Sequence, residues 1–185
     1  IRKGVMTNMV SKGTGRTRLE FRIPARGLIG YRSEFLTDTR GTGLLNTQYD
    51  GYDDYRGDIT SRMNGAMISD RQGSATAYAI WNLQERGRMF VHHGTEVYQG
   101  MIVGENAKDN DMEVNITREK KLTNVRASGS DEAIRLVPVK PMTLEKAIEW
   151  INDEELIEVT PAHIRLRLRE LDPHKRKKKA SVEKD

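Results

Sequence analysis

The 185-residue chain contains no cysteine. That excludes disulfides, zinc ribbons and thiol nucleophiles, and nothing in the composition suggests secretion. No apolar run approaches the roughly 18 residues that a membrane span needs. Histidine is scarce: His92 and His93 are adjacent, and neighbours on a strand point to opposite faces, so the two cannot chelate one metal together. His163 and His174 are isolated, and no structural metal is expected. A phosphate-cradling loop is missing too, because Gly13-Thr14-Gly15 and Gly41-Thr42-Gly43 lack the Lys-Ser/Thr pair that would hold phosphate and magnesium; both read as turns. There is no G-x-S-x-G elbow, and Ser128, followed by Gly129, has no positioned base. The carboxylate clusters Asp53-Asp54 and Asp153-Glu154-Glu155 fall in a turn and at a helix end, where a solvated boundary is the better reading than acid–base catalysis. Nothing looks catalytic, and no cofactor is expected in this chain. It begins at Ile1 without a signal-like segment, and reads as a piece of a larger cytoplasmic protein.

What is present is charge. Hydrophobic residues make up 36% and charged residues 31%, so the chain is folded but wet on the outside. The net charge of +4 is mild and matters only where it is concentrated. One concentration is Asn115 to Glu132, NITREKKLTNVRASGSDE. Its cations are Arg118, Lys120, Lys121 and Arg126, against one carboxylate, Glu119, before Ser130. Neither helical nor strand periodicity holds across it, and its length exceeds that of ordinary connections. Thr123, Asn124 and Ser128 add hydrogen-bond donors suited to phosphate and ribose oxygens. The segment is either a basic finger that reaches into RNA or a solvated loop; composition alone leans to the loop. The second concentration is the tail His174 to Lys179, which suits only loose, nonspecific binding. A third cationic feature is the strand Ile164 to Leu168, with Arg165, Arg167 and then Arg169 opposite an apolar face. It could grip a phosphate backbone or simply be a charged edge that resists aggregation.

The expected fold class is α+β. Thr17 to Ile23 alternates as a half-buried strand, and Pro24 opens a helix with the stripe Leu28, Tyr31, Phe35 and Leu36. Gly41 and Gly43 are its C-cap candidates, and Leu44 to Tyr49 reads as a short strand. Together these make an incomplete ferredoxin-like β-α-β unit over residues 1–55. The acidic turn DGYDDYRGD at Asp50 to Asp58 marks the boundary, and Tyr49, Tyr52 and Tyr55 near it are read as packing between domains rather than as base-stacking residues. Residues 56–172 form the second domain, mainly β and barrel-like, with strands at Ala66 to Ser69, Ala75 to Trp81, Met89 to Val91, Glu96 to Val103, Ala133 to Val139 and Ile164 to Leu168. One clear helix, Thr143 to Asp153, buries Leu144, Ala147, Ile148 and Ile151. Residues 173–185 are expected to be a disordered basic tail.

PARGLIGYRSEFLTDTRGTG, Pro24 to Gly43, closely resembles the fifth domain of the BipA/TypA translational GTPases. NLQERG (Asn82 to Gly87), HGTEVYQGMIVGEN (His93 to Asn106), KKLTNVRASGSDEA (Lys120 to Ala133) and EVTPAHIRLR (Glu158 to Arg167) are similar to the C-terminal domain peculiar to that family. These stretches match in order over nearly the whole chain. The resemblance implies a ribosome-docking, RNA-binding module of a protein linked to large-subunit assembly and to growth in the cold or under stress. It implies a loop, mapping onto roughly Asn106 to Ser130 and so including Lys108, that contacts large-subunit rRNA and the acceptor end of A-site tRNA. GTP and magnesium would belong to a GTPase domain not present in this stretch. No membrane partner is implied. A monomer is expected, with the truncated first domain as a route to dimerisation; the alternative is a protein-interaction module gripping an acidic partner.

Overall fold

The structure is a computed structural model and describes residues 2–11, 13, 15–57, 59, 62–120, 134–139 and 142–176. The chain divides into two compact units, Ile1–Ser61 with Ile148–Trp150, and Arg62–Ala147 with Ile151–Asp185.

The first unit is built on an antiparallel hairpin of β1 (Val5–Ser11) and β2 (Thr17–Arg22). Its turn uses Gly13 and Gly15, both in the left-handed region. A bulge between Met6 and Asn8 inserts one extra residue into β1. Met6 therefore faces Phe21, and Met9 faces Leu19, on one side of the ribbon. Three-residue spacing would otherwise send Met6 and Met9 to opposite sides. The alternation read in Thr17 to Ile23 is present, but its apolar face is not covered: these four side chains are 51–61% exposed.

Pro24 leads into a 3-10 turn, Ala25–Leu28, before α1 (Tyr31–Asp38) begins beyond Gly30, whose φ is 74°. Of the expected stripe, Leu28, Tyr31 and Phe35 are half-buried and Leu36 is exposed. The helix closes with the Arg40 N–H on the Thr37 carbonyl (3.1 Å) and the Gly41 N–H on the Leu36 carbonyl (2.7 Å). That is a Schellman closure in which Arg40, not glycine, takes the left-handed position at φ 51°. Residues 42–57 form no strand. The expected ferredoxin-like β-α-β unit is thus not formed: β2 pairs back onto β1, and Leu44 to Tyr49 has no ladder neighbour to satisfy its backbone. Tyr49, Tyr52 and Tyr55, read as packing residues, are 71–97% exposed. Tyr49 and Tyr52 meet edge to face at 5.9 Å, and the Arg26 guanidinium lies 4.5 Å over Tyr55.

The second unit is organised on β3 (Ala66–Ser69), β5 (Gly87–Met89), β7 (Met101–Asn106), β8 (Met112–Val114), β9 (Glu155–Val159) and β10 (Ile164–Leu168). The path is β8-β3-β7-β10-β9, antiparallel except for the parallel β3–β8 pair, with β5 also on β7. β10 pairs with Met101 and Ile102 of β7, and β5 with Gly104 to Asn106. The two therefore follow one another along one edge of β7. β8 and β9 do not pair, so the sheet is open and the barrel-like expectation is corrected. A separate small pair joins β4 (Gly73–Ser74) to β6 (Glu96–Val97).

Met67, Met89, Met101, Val103 and Val114 from one face of the sheet pack with Ala79 and Ile80 of α2 (Ala77–Leu83), and with Val97 and Ile116. Ala66, Ile68, Ile102, Leu166 and Leu168 are buried as well, so the central strands carry apolar residues on both faces. Gly87 is needed at the β5–β7 pair because a Cβ there would run into the Glu105 carbonyl.

Ala75 to Trp81, expected as a strand, is largely this helix. The Thr76 hydroxyl caps it, accepting from the Ala79 N–H (3.1 Å), and Ala79, Ile80 and Leu83 turn one face to the core. Glu96 to Val103 is broken into β6 and β7 around Gly100, at φ 82°. Residues 134–139 form no strand; Leu136 and Val139 pack on the core without a ladder. The expected helix is α3 (Leu144–Trp150), capped by Thr143, with Ala147 and Trp150 buried and Leu144 and Ile148 exposed. β8 and β9 had no clear sequence signal. Residues 173–176, assigned to the tail, form a helical turn, and Arg176 there pairs with Glu113 at 2.5 Å.

Candidate nucleic-acid interface

The basic segment begins sooner in sequence than in space. Val114 and Ile116 are buried, and the Asn115 side chain accepts from the Thr117 N–H (3.1 Å) and hydroxyl (3.0 Å). The first residues of the expected loop are therefore part of the core and its rim. The exposed run starts at Arg118.

Helix α2 holds both ends of that run. At its N-terminus the Thr76 N–H donates to the Ile116 carbonyl (3.0 Å), and the Thr76 hydroxyl donates to the Arg118 carbonyl (2.5 Å). At its C-terminus Gln84 donates from Nε2 to the Arg135 carbonyl and accepts at Oε1 from the Val137 N–H, both at 3.0 Å. Thr76 and Gln84 are eight positions apart across the seven-residue helix, about 12 Å at 1.5 Å per position. Arg118 and Lys120 thus leave from one end of a short rigid helix, and the chain returns at the other. Lys121, Thr123, Asn124, Arg126 and Ser128 lie outside the described residues.

The other named cations are elsewhere. Lys108 is exposed in the turn between β7 and β8, where its carbonyl accepts from the Gly65 N–H (2.7 Å). Arg165 and Arg167 lie on β10, whose cationic face is more committed than its sequence suggests. Glu158 of β9 stands opposite Arg165, and its carboxylate pairs with Arg167 Nε at 2.8 Å. The same carboxylate accepts from the Tyr98 hydroxyl at 2.6 Å. Burial, and then that hydrogen bond, hold the Tyr98 phenol protonated well above its ordinary range. Arg169 donates to the Asp153 carbonyl (3.2 Å). The charged strand is largely tied to its neighbours, which favours a structural role for Arg167 and Arg169.

Among the described residues no group of three His, Asp or Glu side chains could hold a metal. A depression of about 150 Å³ lined by Gln84, Gly87, Arg88, Met89, Val137 and Pro138 sits beside the returning end of the basic segment. It is smaller than the roughly 300–1,000 Å³ usual for small-molecule sites.

Comparison with known proteins matches residues 64–173 to the TypA/BipA C-terminal domain. The chain belongs to the TypA/BipA family. Residues 1–63 match the elongation factor G C-terminus. A protein of Escherichia coli (strain K12) named large ribosomal subunit assembly factor BipA is 52% identical over 185 residues, covering 100% of this chain and 30% of that protein. Proteins of the same name from Salmonella typhimurium and Haemophilus influenzae are 53% identical over 178 residues and 49% over 179, each covering 96% of this chain and 29% of the relative. The chain therefore spans about 30% of the length of the curated relatives it matches. No helix among its described residues is long and apolar enough to cross a membrane.

In this TypA/BipA chain the residues that sequence reading missed are those that anchor the basic segment, Thr76 and Gln84. A threonine ahead of Ala77, Ala79, Ile80 and Leu83 was the available signal, since it fits an N-cap followed by a short apolar helical stripe.

Proposed function

We propose that this chain is the ribosome-docking, RNA-binding C-terminal module of a translational GTPase that acts in large-subunit assembly. The reading rests on the family and on the names of its relatives, and one structural observation carries it: the basic segment is clamped at both ends to α2. A charged loop tethered loosely would lose much of its binding energy to ordering. One whose roots are fixed loses less. Arg118, Lys120, Lys121 and Arg126 neutralise phosphates of large-subunit rRNA and of the A-site tRNA acceptor end, releasing counterions. Thr123, Asn124 and Ser128 add hydrogen bonds that set register. Lys108 and Arg165 are secondary phosphate contacts, and Arg167 acts mainly through its pairing with Glu158. GTP and magnesium are bound by the parent protein outside this stretch, in the cytoplasm, and this chain hydrolyses nothing by itself.

The test is co-sedimentation with purified large ribosomal subunits across a salt series, beside the triple variant Lys120→Ala, Lys121→Ala, Arg126→Ala. Binding should weaken as salt rises, and the variant should bind less with a shallower salt slope. Equal binding by the two proteins would move the contact to β10 or the tail. Binding that survives RNase but needs a ribosomal protein would replace RNA by an acidic protein partner.

A further inference from the structure

The chain has one Asn-Gly pair, Asn64-Gly65, and one Asp-Gly pair, Asp50-Gly51. In such a pair the glycine amide nitrogen can attack the carbonyl carbon of the preceding side chain and close a succinimide ring. Glycine permits this because it has no Cβ to crowd the ring and leaves the backbone free to turn. At Asn64 the new C–N bond would expel ammonia; at Asp50 it would expel water. Water then opens either carbonyl of the ring, giving aspartate or isoaspartate, the latter with one more methylene in the main chain. In an unfolded chain the Asn-Gly pair reacts first, since a carboxylate must take up a proton before its oxygen can leave as water.

The fold treats the two pairs oppositely. The Gly65 N–H donates to the Lys108 carbonyl (2.7 Å), and the Gly65 carbonyl accepts from the Asn106 N–H (2.8 Å), so this residue is tied on both sides just before β3. Gly65 is buried, and a Cβ on it would lie 2.0 Å from the Asn110 carbonyl oxygen. The Asn64 amide is itself engaged, Nδ2 donating to Glu105 Oε1 at 3.3 Å. Attack at Asn64 therefore requires that corner of the sheet to open. Asp50-Gly51 lies within residues 42–57, which form no strand. Gly51 is exposed, with no atom within 4 Å of where a Cβ would stand. Among the described residues no acceptor takes its N–H. Asp50 pairs with Arg22 at 2.7 Å, but the two side chains are 72% and 50% exposed, and an ion pair so open to water is too weak to hold the carboxyl in place.

We infer that Asp50-Gly51 is a site of spontaneous isoaspartate formation in the folded chain, while the intrinsically faster Asn64-Gly65 pair is protected by its place beside β3. The change rewires the contact with β2. The carboxyl carbon that faces Arg22 enters the main chain, and the former backbone carbonyl becomes the pendant carboxylate. That pendant group is what an isoaspartate-specific carboxyl methyltransferase recognises, transferring to it the methyl of S-adenosylmethionine.

The experiment ages the chain for weeks near neutral pH, folded and in urea. Isoaspartate is located by peptide mapping and counted by methyl transfer from labelled S-adenosylmethionine with such a methyltransferase. Three proteins are compared: unaltered, Asp50→Glu, whose longer side chain closes the ring poorly, and Asp50→Asn, which puts the same Asn-Gly chemistry at both positions. Folded, the unaltered chain should gain isoaspartate at position 50 and keep Asn64 intact; in urea the order should reverse. Asp50→Glu should remove the folded-state signal. In folded Asp50→Asn, position 50 should react more than about tenfold faster than Asn64, the factor set by an opening cost of about 1.4 kcal/mol, and the gap should close in urea. The inference fails if Asn64 reacts first in the folded unaltered chain, or if the two positions of folded Asp50→Asn react alike. It fails equally if position 50 yields isoaspartate in urea and none when folded.

Discussion

In the second unit Met67, Ile80, Ile102 and Ile116 are sealed from water; in the first, Met6, Met9, Leu19 and Phe21 face it from one side of a hairpin. Both regions show strands with apolar residues grouped on a face. The difference lies in what stands opposite. In the second unit α2, the β4–β6 pair and Ile116 are laid over one face of the sheet. Among the described residues of the first unit no comparable layer covers the Met6–Phe21 face. Periodicity reports that a strand has two unlike sides, and says nothing of whether the apolar side has found a partner.

The sharpest way to break this contrast is at the most buried charges. Arg62 and Glu155 form a two-pronged pair at 2.5 and 2.8 Å with side chains 5% and 3% exposed. Glu155 also accepts from the Asn152 N–H at 3.0 Å, which ties the start of β9 to the loop before it. Arg62→Ala leaves the carboxylate buried without its guanidinium and should cost about 3–5 kcal/mol in urea unfolding. A loss under about 1 kcal/mol would mean that the site is wet and the second unit less sealed than described. Burial pushes the Glu155 carboxyl above its ordinary 4.5, with Arg62 opposing that shift only in part. A raised carboxyl favours folding fully below its unfolded value and loses that contribution as pH rises through the folded value. Stability should therefore decline with pH just above 4.5, and Glu155→Gln should flatten that decline.

Next in size is Ile80→Ala, which opens a cavity between α2 and the sheet. The expected loss is about 2–5 kcal/mol by the same measurement. A smaller loss would show that α2 settles into the space, and the roots of the basic segment would then shift with it. The smallest effect belongs to the first unit. Phe21→Ser on the open hairpin face should change the stability of this chain by no more than about 0.5 kcal/mol, read by thermal unfolding. A loss of several kcal/mol would show that the face is covered in solution and would erase the contrast.

How far the fold could be read from sequence follows the same division. β3 and β10 were legible because short β-branched or alternating runs bounded by turn residues sit inside a sheet that buries them. α3 was legible from the Thr143 cap and its spacing. Ala75 to Trp81 was misread because Ala-x-Ala-x-Ala fits a strand's alternation as well as a helix, and only the Thr76 cap with the Ile80–Leu83 spacing tips the balance. Leu44 to Tyr49 has a strand's composition but no neighbour, and pairing is a long-range property that no local pattern carries. β9 was hidden because Glu155, a charge at its head, is buried by an arginine 93 residues away. Of the candidate interface, the cations were legible as composition. Their anchoring was not, because it depends on Thr76 and Gln84 meeting carbonyls 42 and 51 residues distant.

That anchoring has a consequence for how much change the segment can absorb. The two attachment points lie at opposite ends of α2, so the chain between residues 118 and 135 is rooted at both ends on one short element. Doubling the length of such a closed segment costs only about 0.6 kcal/mol in closure entropy. For the same reason a foreign binding loop grafted between residues 118 and 135 should be tolerated by this scaffold.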